Sequence, residues 1–195
     1  MRRIVAFDRV SADGYFASAD GGLGWVVPDD EIDGGAAEKL GENDTILFGR
    51  RTYEMFESFW PNVTAGTSDP HTPGRYPPQM LAMADWINQA QKIVFSRTRK
   101  EVTWTNSRLF PELDPRAVEA LKEGPGKGIM LFGSGSVASQ LTEHGLVDEY
   151  QLIVGPVLLG SGRPLISGVP KTARLELLEC RQYPSGNVLL RYGRA

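Results

Sequence analysis

GIMLFGSGSVASQL, residues Gly128–Leu141, reads as a short buried strand (Ile129, Met130, Leu131, Phe132), a pair of spaced glycines and the opening turn of a helix. At such a junction the backbone N–H groups and the positive end of the helix dipole face one point, which favours an anionic phosphate. Gly133 and Gly135 remove the side chains that would block close approach. By itself the stretch is equally satisfied by a tight strand–helix turn without a ligand. The rest of the chain has to decide.

Two further junctions share the pattern. Ile46-Leu47-Phe48-Gly49-Arg50-Arg51-Thr52-Tyr53-Glu54 is again strand, glycine and helix start, now with adjacent arginines. Phe95-Ser96-Arg97-Thr98-Arg99 closes a third strand with hydroxyls and arginines. Guanidinium groups suit bidentate phosphate recognition. In an α/β sheet, ligands bind at the carboxyl ends of the strands. Any one of Arg50, Arg51, Arg97 and Arg99 is satisfied as a solvated charge near a turn. The joint pattern favours one extended, multiply phosphorylated ligand, and an adenine dinucleotide with an additional 2′-phosphate fits.

Gly133-x-Gly135-x-x-Ala138 also matches the dinucleotide fingerprint G-x-G-x-x-A. A doubly wound dehydrogenase needs an acid about 20 residues on, at the far end of the next strand. Asp148 and Glu149 precede that strand, and too little alternating βαβ remains for a second half. Phosphate binding is retained and the doubly wound dehydrogenase is rejected.

Outward from these junctions, strands are expected at Ile4–Val10, Thr45–Phe48, Lys92–Ser96, Val102–Thr105 and Val147–Val154. Helices are expected from a start in Pro28-Asp29-Asp30-Glu31 to about Leu40, from Arg51 to Phe59 with a stop at Pro61, from Pro78 to about Ala90, and from Pro115 to Glu123 under an Asp114 cap. Arg174–Gln182 and Val188–Tyr192 pair as a hairpin across Pro184-Ser185-Gly186-Asn187. Asn62–Pro77 reads as a long loop and Gly155–Gly168 as a glycine-rich one. This order describes one α/β domain over 1–195: a mostly parallel mixed central sheet with helices on both faces and an antiparallel C-terminal hairpin.

Composition narrows the function classes. With 195 residues, 41% of them hydrophobic, and a net charge of -3, the composition suggests neither a nucleic-acid nor a membrane surface. No segment approaches transmembrane length and MRRIVAFDRV is too short and too polar for a signal peptide, so a cytoplasmic location is expected. The lone Cys180 excludes a disulfide within the chain, and as part of a strand it reads as a buried, inert thiol. His71 and His144 read as structural, and no metal site is expected. Walker A and G-x-S-x-G patterns are absent.

The chain resembles the RibD C-terminal reductases, the riboflavin-biosynthesis group with a dihydrofolate-reductase-like fold. The resembling pieces run in family order: Ser11-Ala12-Asp13-Gly14-Tyr15, Leu47–Glu54, Phe95-Ser96-Arg97-Thr98, Phe132–Ser136, Leu146-Val147-Asp148-Glu149-Tyr150 and Gly155–Gly162. The resemblance implies NADPH as hydride donor. On that mapping Gly49, Arg50, Arg51, Thr52, Ser96 and Arg97 hold the adenosine 2′-phosphate side, and Phe132, Gly133, Ser134, Gly135, Ser136 and Val137 hold the pyrophosphate. Ala6 and the Ser11–Gly14 turn then lie beside the nicotinamide.

Trp25-Val26-Val27-Pro28-Asp29-Asp30 is similar to the W-x-x-P-x-D/E segment of dihydrofolate reductases, whose last acid assists protonation. Asp30 falls there, and Asp13 is the second candidate acid. Both are also satisfied as ordinary residues, Asp30 at a helix start and Asp13 in a turn. Trp25 and Phe56 are candidates to line a flat-ring substrate pocket, or to belong to the core. The implied activity is reduction of a C=N or latent carbonyl carbon in a heterocycle, as in 5-amino-6-(5-phosphoribosylamino)uracil reduction. The alternatives are a pterin reductase and a non-catalytic nucleotide-binding module. The zinc deaminase signature of the bifunctional riboflavin enzymes is missing. The family also implies a homodimer, with Val154–Ile166 as the candidate contact.

Overall fold

The computed structural model describes residues 1–38, 40–65 and 76–195. Its strands are β1 (Ile4–Ser11), β2 (Tyr15–Ala17), β3 (Asn43–Gly49), β4 (Gln91–Phe95), β5 (Ser107–Phe110), β6 (Gly128–Phe132), β7 (Glu149–Gly155), β8 (Arg163–Pro164), β9 (Leu175–Gln182) and β10 (Val188–Arg194). Its α-helices are α1 (Asp30–Glu38), α2 (Arg50–Thr64), α3 (Pro78–Gln89), α4 (Pro115–Glu123) and α5 (Gly135–Glu143). The main sheet has the order β5-β4-β3-β6-β1-β7-β10-β9. β5 through β7 are parallel, and β10 and β9 close one edge antiparallel.

Apolar strands explain the centre. Ile46, Leu47, Phe48, Ile129 and Leu131 are inaccessible to solvent, because a parallel strand is covered by helices on both faces. On one face Val137, Ala138 and Leu141 of α5 and Val118 of α4 pack on Ile4, Ala6, Leu47 and Leu131. On the other, Tyr53 of α2 and Ile87 of α3 pack on Ile46, Phe48 and Val94. β6 is inserted between β3 and β1, so the strand ends carrying the three junctions are neighbours.

Several expectations need correction. Val102–Thr105 is not a strand. Trp104 is buried there and donates its indole N–H to Asn88 at 2.8 Å, Asn106 turns the chain at φ 60°, and the ladder resumes at Ser107. Side-chain anchoring replaces the strand pairing that β-propensity suggests. Pro61 does not end α2. The helix runs on to Thr64, buries Val63, and Ala65 N–H caps it on the Pro61 and Val63 carbonyls. Cys180 is exposed, because β9 is an edge strand. β2 and β8, which pair antiparallel, have no expected counterpart. His71 and most of the Asn62–Pro77 loop lie outside the described residues. Among the described residues no helix is long and apolar enough to cross a membrane.

Candidate active site

The carboxyl ends of β1, β3, β4 and β6 open into one cleft of about 740 Å³. Its walls bring together Gly49, Arg50, Arg51, Thr52 and Phe56, Ser96 and Arg97, and Phe132, Gly133, Ser134, Gly135 and Ser136. Residues far apart in sequence meet because each follows a parallel strand, and parallel strands end on one side.

Side chains of one junction fasten the backbone of another. Gly49 N–H donates to Ser134 Oγ at 2.9 Å, and Ser134 N–H donates to Thr52 Oγ1 at 3.2 Å. Ser134 takes a left-handed conformation, φ 57° and ψ 48°, which an L-residue adopts at some cost and which these bonds stabilise. Val137 and Ala138 N–H groups return to the Ser134 carbonyl. Gly135 and Ser136, the first two residues of α5, have no acceptor within their own helix. They are the amides that the helix start can offer to an anion.

The glycines answer to the protein as well as to a ligand. A Cβ on Gly135 would stand 2.9 Å from the Phe16 ring and 3.0 Å from the Pro164 carbonyl oxygen. Gly135 therefore lets β2 and β8 close over the start of α5. Gly133 has φ +51° and packs against Thr52 and Phe16.

The arginines divide. Arg99 leaves the cleft: it pairs with Glu57 at 2.7 Å and lies over the Tyr53 ring. Arg50 pairs with Glu54 one turn on, at 3.0 Å. Arg51 and Arg97 are exposed, and no ion pair engages them among the described residues. Arg163, from β8, adds a further cation to the wall.

Other expected site residues stand elsewhere. Ala6 is inaccessible in the middle of β1, between Leu131 and Tyr150, and Val137 belongs to the core of α5. Trp25 is half-buried and lies outside the cleft, whereas Leu23 and Val26 beside it line the wall. Asp13 is outside as well. Its carboxylate accepts from Ser11 Oγ at 2.6 Å and from the Leu159 and Gly160 amides at 3.1 and 2.7 Å. The Ser11 bond, followed by these amides, holds its pKa below the ordinary carboxylate value. Asp30 is exposed at the first position of α1, and the cap is Asp29, which accepts from the Glu31 and Ile32 amides.

Sequence reading missed Asp8, Phe16, Arg163 and Ser167, all of which line the cleft. Asp8 had a signal: it is an acid in the buried register of β1, between Ala6 and Val10. Phe16, Arg163 and Ser167 had none, because β2 and the segment around β8 reach the cleft only through tertiary folding.

The RibD C-terminal domain model matches residues 2–189. The chain belongs to the RibD C-terminal domain family. An uncharacterized protein of Bacillus subtilis, YyaP, is 31% identical over 98% of this chain and 94% of its own. Among solved structures, a Shewanella sp. PV-4 protein given a provisional riboflavin-biosynthesis name superposes with a TM-score of 0.75 at 22% identity, covering 99% of each chain. The bifunctional deaminase/5-amino-6-(5-phosphoribosylamino)uracil reductase of Thermotoga maritima gives 0.63 at 13% identity, with all of this chain on 57% of that one. These likenesses show the fold: a RibD-like, dihydrofolate-reductase-type α/β sheet.

Proposed function

We propose that this protein is a reductase that takes hydride from NADPH and delivers it to a C=N or latent carbonyl carbon of a heterocycle, in the manner of 5-amino-6-(5-phosphoribosylamino)uracil reductases. The observation that carries the reading is the convergence of unpaired Arg51 and Arg97 with the start of α5 in one cleft. The donor set fits the cofactor. Arg51, Arg97 and the Ser96 hydroxyl suit a 2′-phosphate, and the Gly135 and Ser136 amides suit a pyrophosphate. When bound, the nicotinamide supplies the hydride; the protein supplies orientation and polarity.

Phe56 and Met55 of α2, with Leu23 and Val26, give the cleft an apolar wall against which a flat heterocycle stacks. The reading assigns no step to Asp13 or Asp30, since neither lines the cleft. It carries a homodimer with it. Leu158, in the segment expected to make the contact, is 76% exposed, and sedimentation would report the association.

The test is a fluorescence titration with NADPH and NADH on the wild type and on Arg51→Ala. Tight NADPH binding, weaker NADH binding and loss of that preference in the variant are expected. Absence of binding by either nucleotide would overturn the cofactor assignment.

A further inference from the structure

Asp8 is an acid in a place built for an apolar residue. It shares the inward face of β1 with Ile4, Ala6 and Val10 and is 4% exposed. Its Oδ1 accepts the Gly133 amide at 2.6 Å. Its Oδ2 is buried and has no hydrogen-bond partner among the described residues. Asp8 also forms part of the cleft wall, so a ligand seated there lies against this residue. Anchoring Gly133 needs one carboxyl oxygen. The second is unexplained by the fold, and an unpartnered buried polar atom is rare enough to require a reason.

The protonation state decides what Oδ2 can do. An ionised oxygen only accepts, whereas a protonated one donates. Burial drives the Asp8 pKa well above the ordinary range, and the Gly133 amide, acting in the opposite sense, does not cancel it. The elements packed on Asp8 offer little charge. β6 has no ionisable residue, α5 has only Glu143 at its far end, and β7 has Glu149 and Tyr150 at its start, with Leu152 in register. β2 contributes Tyr15, and Arg9 is turned to Asp33 and the Val27 carbonyl. The cations in the cleft are Arg9, Arg50, Arg51, Arg97 and Arg163.

The geometry points to Asp8 as a hydrogen-bond donor to the ligand: Oδ2–H meets an acceptor oxygen of the bound nucleotide while Oδ1 keeps the Gly133 amide. This rests on the reading of the cleft as a nucleotide site. The acceptor is a pyrophosphate oxygen or the nicotinamide carboxamide oxygen, both compatible with a carboxyl donor.

The experiment measures NADPH dissociation constants from pH 6 to 9.5 for wild type and Asp8→Asn. Asn keeps an oxygen for Gly133 and a donor for the ligand, without a titrating proton. In the wild type the constant should rise by up to about tenfold per pH unit above the Asp8 pKa. In Asp8→Asn it should stay flat, so that the variant binds more tightly at high pH. Above pH 7 a phosphate monoester is already a dianion, so the cofactor does not supply the slope. Repeating the titration with 2′-phospho-ADP-ribose locates the acceptor. The slope persists if it is a pyrophosphate oxygen and vanishes if it is the carboxamide.

Equal profiles in both proteins, or affinity that rises with pH in the wild type alone, would overturn the donor assignment and leave the nucleotide site standing. No NADPH binding at any pH would remove the site and the donor with it. Urea unfolding of the ligand-free protein is an independent arm. The folded state holds the Asp8 proton to higher pH than the unfolded chain does, so wild-type stability should fall with rising pH between the two pKa values relative to Asp8→Asn. A flat difference would mean that Asp8 is ionised, which also overturns the donor.

Discussion

The two ends of the parallel sheet treat charge in opposite ways. At the amino end, charged groups are matched by the protein itself. Arg2 meets Asp44 and Thr45, Lys122 meets Asp148 and the Leu146 carbonyl, and Glu149 takes Arg191 at 2.7 Å and Arg3 at 2.9 Å. Lys92 is inaccessible to solvent and donates to three carbonyls, those of Asn88, Ala90 and Thr105. At the carboxyl end, Arg51, Arg97 and Asp8 Oδ2 are left without protein partners among the described residues. The same sheet thus matches its charged groups within the protein at one end and leaves several of them unmatched at the other.

That contrast can be broken from either side. The largest effect is expected at the amino end. Glu149→Ala should cost about 1.5–3 kcal/mol, measured by urea unfolding, because it removes the charge-assisted bonds to Arg191 and Arg3 while Arg191 keeps Glu179. Burial pushes the Glu149 pKa up, but the Arg191 and Gln151 bonds and the Arg191 and Arg3 charges outweigh it and hold it low. Its contribution is therefore present at neutral pH and lost as pH falls through the lowered value, so the two proteins should converge in acid.

Lys92 gives the next effect, with the opposite dependence. Burial lowers its pKa from 10.5 to about 8. Between these values the unfolded chain binds the proton that the folded protein has released, so stability rises with pH. Relative to Lys92→Met, the wild type should gain up to about 1.4 kcal/mol per pH unit over that window. A difference that is level in pH would refute the shift.

At the carboxyl end the signature inverts. Arg51→Ala should leave unfolding within about 0.5 kcal/mol of the wild type, since no protein partner is lost. It should still cost about 1.5–3 kcal/mol in NADPH binding, roughly ten- to a hundredfold in the dissociation constant. A large stability loss would mean that Arg51 belongs to the fold and not to a ligand. The smallest effects are at α1. Asp29→Ala should lose about 1 kcal/mol with its cap, whereas Asp30→Asn should change stability by less than about 0.5 kcal/mol and leave NADPH affinity intact.

Much of the cleft was legible because its chemistry is local. Gly49-Arg50-Arg51-Thr52, Ser96-Arg97 and Phe132–Ser136 each announce a strand end followed by donors, and the rule for parallel sheets says that such ends gather. The acids were harder. Asp13, Asp29 and Asp30 stand in similar polar surroundings in the chain, and only their partners separate a carboxylate clamped on Leu159 and Gly160, a helix cap and a free helix-start residue. Val102–Thr105 misled for a related reason. Its β-propensity is real, but burial of Trp104 against Asn88 decides its conformation.

The sequence by itself determined the layered α/β architecture, the family and the glycine- and arginine-bearing strand ends, because periodicity, caps and junction residues act over a few neighbours. Tertiary structure alone decided which charges are spent and which remain. Glu149 finds Arg3 across 146 positions, Gly133 finds Asp8 across 125, and β8 carries Arg163 to the cleft by pairing with β2. Whether a polar group is a brace or a binding group depends on what lies opposite it in space, and long-range packing sets that.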